Sequence, residues 1–199
     1  MNNIKEVIRR LNMEITESNE QNRVFTFVTY NNSISKQTII ANLAIMYALS
    51  GESVLIIDTD FSKNVFVDAF KLKVTYGLSD YLNNWKISRD QIIKKVANQD
   101  ISVLNSGEKA SSDTKYLIGD PRFDSLLNSL KKNYNKILIN TPIMTDNSYT
   151  DVERVMKLSD GVIVSIEKNT VKKRQMFKFI NNLRNNEINL LGYINAKGQ

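Results

Sequence analysis

Six short apolar runs rich in β-branched residues recur along the chain: Val24–Thr29, Val54–Ile57, Ile101–Leu104, Ile137–Ile139, Gly161–Ile166 and Leu190–Ile194. Their hydrophobicity is near-continuous and does not alternate, which predicts strands buried on both faces of a parallel sheet. Between them the pattern turns to a helical period over Thr38–Ser50, closed by Gly51, and then over Ile87–Ala97, Pro121–Asn133 with Pro121 in the first turn, Asp151–Leu158 and Thr170–Asn185. Alternating strand and helix predicts βαβ units with right-handed crossovers, an α/β fold with a doubly wound, mostly parallel sheet. One more amphipathic helix, spanning about 4–15 and clearest over Glu6–Glu14, precedes the first strand across the polar stretch Thr16–Arg23 and is expected outside the sheet core.

Composition narrows the class of protein. At 199 residues, with 42% apolar and 24% charged, residues 1–199 are expected to form a single domain. No apolar run approaches the ~20 residues of a spanning helix, mean hydropathy is −0.31, and Met1–Glu6 has no signal-peptide core. A soluble, cytoplasmic protein is the expectation. The chain has neither cysteine nor histidine, which excludes disulfides, thiol chemistry and the commonest general base. Any chemistry falls to carboxylates, lysines, hydroxyls or a bound metal. The net charge of +6 would suit nucleic acid or an anionic membrane surface. The basic residues are nevertheless spread along the chain. The densest cluster, Lys168–Lys178, lies on a helix whose Met176, Phe179, Ile180 and Leu183 account for its burial. Nucleic acid is therefore not expected as the partner.

In an open α/β sheet, sites form beyond the carboxyl ends of the strands, here Thr29–Lys36, Asp58–Lys63, Asn105–Gly107 and Asn140–Asp146. Between the first strand and its helix, Tyr30–Thr38 stands where a nucleotide-binding protein carries its phosphate loop. Such a loop converges backbone N–H groups on phosphate, with glycines allowing close approach, a lysine adding charge and the next hydroxyl ligating Mg²⁺. This segment keeps Lys36 and Thr38 but has no glycine: Ser33 and Ser35 stand in the two positions nearest the lysine, and Gln37 in place of the hydroxyl. Past the second strand, Asp58 and Asp60 lie one residue apart, a spacing suited to a magnesium-bound water and a catalytic base. The run Lys136–Pro142 has the shape of a Walker B strand but ends in Asn140, an amide that supplies no negative charge to a cation.

In order and spacing these segments resemble the bacterial tyrosine kinases of capsule and exopolysaccharide systems, the CpsD/CapB type, within the MinD/ParA-like class of P-loop NTPases. The resemblance runs over almost the whole chain, through Glu6–Asn12, Ala41–Ala44, Gly77–Leu82, Leu104–Gly107, Gly119–Phe123, Asn140–Pro142 and Leu191–Asn195. It implies a P-loop NTPase-like fold and ATP with Mg²⁺ as cofactors. The implied nucleotide-binding residues are Ser35, Lys36, Gln37, Thr38 and Asn140; Asp58 and Asp60 are the implied catalytic pair, and Thr38 and Asp58 the implied metal contacts. It further implies an assembly helix carrying Glu6 and Arg9, and hence a homo-oligomer. The implied partner is a membrane-anchored adaptor of a polysaccharide co-polymerase system, or an active kinase paralogue, holding the chain at the inner face of the cell membrane. The chain departs from the pattern at the missing glycines, at Gln37, at Asn140 and at Asn12, and it stops at Lys197-Gly198-Gln199 without the family's tyrosine-rich tail. Losing a metal ligand together with the hydroxyl would remove on the order of 10³-fold in rate. The expected function is thus a non-catalytic or weakly active regulatory partner in exopolysaccharide biosynthesis, with an active autokinase or ATPase, or a MinD/ParA-like positioning protein, as alternatives.

Overall fold

The structure, a computed structural model, describes residues 4–18, 21–30, 33–107, 114, 116–167 and 173–196. Helix α1 (Ile4–Ser18) leads into β1 (Val24–Thr29), α2 (Ser33–Leu49) and β2 (Val54–Asp58). Three short helices follow, α3 (Val65–Ala69), α4 (Leu78–Asn83) and α5 (Arg89–Ile92), then β3 (Ile93–Lys95) and β4 (Ile101–Leu104). The remainder alternates: α6 (Pro121–Leu130), β5 (Lys136–Ile143), α7 (Tyr149–Lys157), β6 (Gly161–Glu167), α8 (Lys173–Asn185) and β7 (Leu190–Ala196).

The seven strands form one sheet in the order β3-β4-β2-β5-β1-β6-β7. All neighbours are parallel except β3 with β4. The six strands expected from the sequence are all present; β1, β2 and β4 are buried along their whole length and therefore read as continuous apolar runs, while the edge strand β7 exposes Tyr193. Their side chains divide by parity. Phe25, Phe27, Val54, Ile56 and Leu138 pack with α2 on one face, while Leu55, Ile57, Ile137 and Ile139 pack with α4 and α6 on the other. Val28, Val162 and Val164 continue the second face under α7 and α8.

Three expectations are corrected. Ile87–Ala97 is not a helix: only Arg89–Ile92 is helical and Ile93–Lys95 pairs antiparallel with β4. The reason is that Ile92 packs on one face of the sheet and Val96 on the other, a split no single helical stripe can serve. The N-terminal helix is not set apart, because its Ile8, Leu11 and Ile15 are buried in the same core as α2. Last, α2 begins at Ser33, five residues before Thr38, so most of the expected phosphate loop is helix. With no glycine in Tyr30–Thr38, Ser33–Thr38 lacks the positive-φ freedom of a phosphate loop and continues the helix it leads into. Asn31 and Asn32 lie outside the described residues.

Candidate functional site

The site forms where β1, β2 and β5 end side by side. Between Phe27 and Thr29 the pairing with β5 advances from Asn140 to Ile143, so β5 holds one residue more than β1 at this point. Pro142 sits in that bulge, where its missing N–H leaves no ladder bond unmade. The bulge turns the Thr141 carbonyl out of the sheet and toward α2. The Thr141 hydroxyl meanwhile donates to the Phe27 carbonyl at 2.9 Å and fixes the strand end.

Lys36, in the first turns of α2, points into this corner. Its side chain is fully buried and its Nζ donates to the Thr141 carbonyl oxygen. Burial lowers its pKa to about 8, against the opposing pull of Asp60 and Asp58. Asp58, at the last position of β2, is 1% exposed. Its Oδ1 accepts from Asn140 Nδ2 at 2.8 Å and from the Asp60 backbone N–H at 3.0 Å. Burial pushes its carboxyl up to about 7, with these two hydrogen bonds working against the rise. Asp60 turns its Oδ1 to the Ser62 hydroxyl at 2.6 Å. Asn140 is wholly buried, and its Oδ1 has no partner among the described residues.

The fold brings Lys36, Asp58, Asp60 and Asn140 to one corner, and among the described residues Ser35, Gln37 and Thr38 make no contact in it. Thr38 is exposed and its hydroxyl donates to the Ile34 carbonyl at 2.9 Å, a local helix bond that faces it away from the strand ends. Gln37 is buried in α2, and its Nε2 has no partner among the described residues. Ser35 is half-buried. Glu6 and Arg9 are exposed on α1. Among the described residues no group of three or more His, Cys, Asp or Glu is placed to hold a metal ion.

A cleft of about 400 Å³ opens beside this cluster, lined by Asp60, Phe61 and Ser62 on one side and Pro142, Ser148 and Asp151 on the other. Neither Lys36 nor Asn140 lines it. Asp151 is a cleft residue the sequence reading missed. Its Oδ2 accepts the Tyr116 N–H at 3.1 Å, and burial raises its pKa against that bond and the nearby Arg154. Its signal was its place at the start of a predicted helix, which reads first as a favourable dipole contact and nothing more.

Two other sequence motifs meet beside the site. Gly77 opens α4, and its N–H donates to Asp80 Oδ2 at 2.9 Å. The Leu78 and Ser79 amides donate to the Asn105 and Ser106 carbonyls at 2.8 and 2.9 Å. Gly77–Leu82 and Leu104–Gly107 are thus halves of one contact that closes the sheet beyond β4.

A protein family described as AAA domain matches residues 22–191. CapB of Staphylococcus aureus, a protein named as a tyrosine-protein kinase, is 29% identical over 177 residues, covering 88% of this chain and 76% of that one. The crystal structure of the chimerical protein CapA2B2 superposes with a TM-score of 0.79 at 28% identity, over 96% of this chain and 82% of the other. MinD of Pyrococcus horikoshii, solved with Mg-ADP, superposes with a TM-score of 0.70 at 20% identity, over 87% and 69%, a likeness that bears on the fold alone. No helix among the described residues is long and apolar enough to cross a membrane. The seven-stranded sheet thus has its counterpart in known proteins: the chain belongs to the AAA domain family and is related to the bacterial tyrosine kinases of capsule and exopolysaccharide systems.

Proposed function

We propose that this protein is a degenerate member of the tyrosine-kinase branch, acting as a regulatory partner in capsular or exopolysaccharide biosynthesis and not as a kinase in its own right. The observation that carries this reading is the placement of Lys36. A phosphate-binding lysine must present its ammonium to an open loop; this one is buried against the Thr141 carbonyl at the foot of a helix that fills the loop's place.

The remaining parts agree. The Thr38 hydroxyl is held by Ile34, the carboxylate expected at position 140 on β5 is an amide, and that amide is bonded to Asp58. These residues do not fit a Mg²⁺–nucleotide. Asp58 and Asn140 are bonded to each other, and the Lys36 ammonium is held by the Thr141 carbonyl. On this reading Lys36, Asp58, Asp60 and Asn140 hold the ends of β1, β2 and β5 together. The partner would be a membrane-anchored adaptor or an active paralogue, as the kinship with CapB and CapA2B2 suggests, and Glu6 and Arg9 on the exposed face of α1 are the proposed self-assembly contacts.

Calorimetric titration with ATP and Mg²⁺, run beside a hydrolysis assay, tests the proposal. The expected result is no turnover above background and no change on Asp58→Ala. Turnover that Asp58→Ala abolishes would establish an active enzyme instead.

A further inference from the structure

Helix α8 packs under the β6–β7 edge of the sheet through Phe179 and Leu183, both buried, with Met176 beside them. Its other face is basic. Arg174, Lys178 and Arg184 are exposed there, and at 100° per residue they fall within an arc of roughly 120°. The helix contains no Asp or Glu, and none of the three cations joins an ion pair among the described residues. Inside the same arc stands Phe177, 67% exposed. A helix that needed only solvation on this face would place a polar residue there. The apolar stripe of the helix already lies in the core, and Phe177 is not part of it.

We infer that this face of α8 is a membrane-contact surface, on which Arg174, Lys178 and Arg184 meet anionic phospholipid headgroups while Phe177 enters the interfacial layer. Cations with no ion pair among the described residues match a negative leaflet, and an aromatic ring among them gains only at a boundary where apolar atoms begin within side-chain reach. Double-stranded nucleic acid would satisfy the charges and leave the ring in water. The contact is direct and independent of any adaptor, and it stands or falls separately from the loss of catalysis proposed above.

Sedimentation with vesicles of phosphatidylcholine containing about one third phosphatidylglycerol, against phosphatidylcholine alone, tests it across a salt series. Binding to the anionic vesicles is expected, weakening as salt rises, with about fivefold loss for each cation removed. The double change Arg174→Glu with Lys178→Glu should abolish it. Phe177→Ala, which leaves charge and core intact, should weaken it several-fold at every salt concentration. Trp85→Ala, an exposed aromatic between α4 and α5, should change nothing. Circular dichroism of each variant confirms that the fold is kept. Equal binding to neutral vesicles, binding that survives the double charge reversal, or tighter binding to duplex DNA that ignores Phe177→Ala would each overturn the inference.

Discussion

Asn140 donates a 2.8 Å hydrogen bond from its Nδ2 to Asp58 Oδ1 across the last paired position of β2 and β5. Both side chains are buried, so this bond and the one from the Asp60 backbone N–H are what the carboxylate has in place of water. Asn140→Asp would set a second carboxylate against the first and delete the donor. Hydrogen bonds to charged groups contribute about 1.5–3 kcal/mol, and a loss of that size in urea unfolding at neutral pH is expected. An unchanged midpoint would mean that Asp58 is neutral there and needs no donor.

The protonation of Asp58 makes its own prediction. Its folded pKa of about 7 lies above the ordinary carboxylate value because of burial, so the native state holds the proton more tightly than the unfolded chain. Its contribution to stability is complete below pH ~4 and is lost as pH rises through about 7. Lys36 runs the other way at higher pH: its folded pKa of about 8 lies below the ordinary lysine value, so stability returns as pH rises above that point. Unfolding midpoints at fixed ionic strength should therefore dip near neutrality. Asp58→Asn should remove the falling limb on the acid side and leave the alkaline limb. A wild-type profile flat over this range would show that neither group is shifted.

Gly77 and the segment Asn105–Gly107 are in such close contact that no side chain fits between them. A Cβ at position 77 would lie 1.9 Å from Asn105 Oδ1 and 2.3 Å from the Gly107 nitrogen. Backbone cannot yield as a flexible side chain can, so Gly77→Ala should cost about 3 kcal/mol or more. Gly119→Ala, where a Cβ meets nothing within 4 Å, should be near neutral. Thermal melts of the two variants side by side check the contrast. The sequence offered both glycine motifs as marks of kinship; the fold gives the physical reason for keeping them together.

How much could be read from the chain differs between scaffold and site. Strands such as Val24–Thr29 and Val54–Asp58 were legible because burial on both faces leaves an unbroken apolar run. β3 was not, since its neighbours Ile92 and Val96 serve opposite faces of the sheet and mimic a helical period. Spacing placed Lys36, Asp58 and Asn140 beyond the carboxyl ends of strands, and the strand order brings these segments to one corner. The direction of Lys36 was hidden, because it depends on two features with no local signature: the bulge at Thr141–Pro142, which frees a carbonyl, and the early start of α2, which aims the side chain at it.

The reading of α2 as the obstacle to nucleotide binding can be tested by undoing it. Ser33→Gly with Ser35→Gly restores the positive-φ freedom the segment lacks, at about 1 kcal/mol of helix stability per glycine. Gln37→Thr returns a hydroxyl after the lysine, and Asn140→Asp returns a carboxylate that Mg²⁺ could draw on. If the first turns of α2 are helical only for want of glycine, the fourfold variant should lose helix content and stability in the absence of ligand. It should also bind Mg-ATP at least tenfold more tightly than the parent chain, with Mg-ATP raising its melting temperature. Asn140→Asp alone should gain no affinity, because Lys36 would still be held by the Thr141 carbonyl. A fourfold variant that loosens α2 yet binds no nucleotide would show that the geometry of the whole corner, and not its four altered side chains, has moved away from ATP.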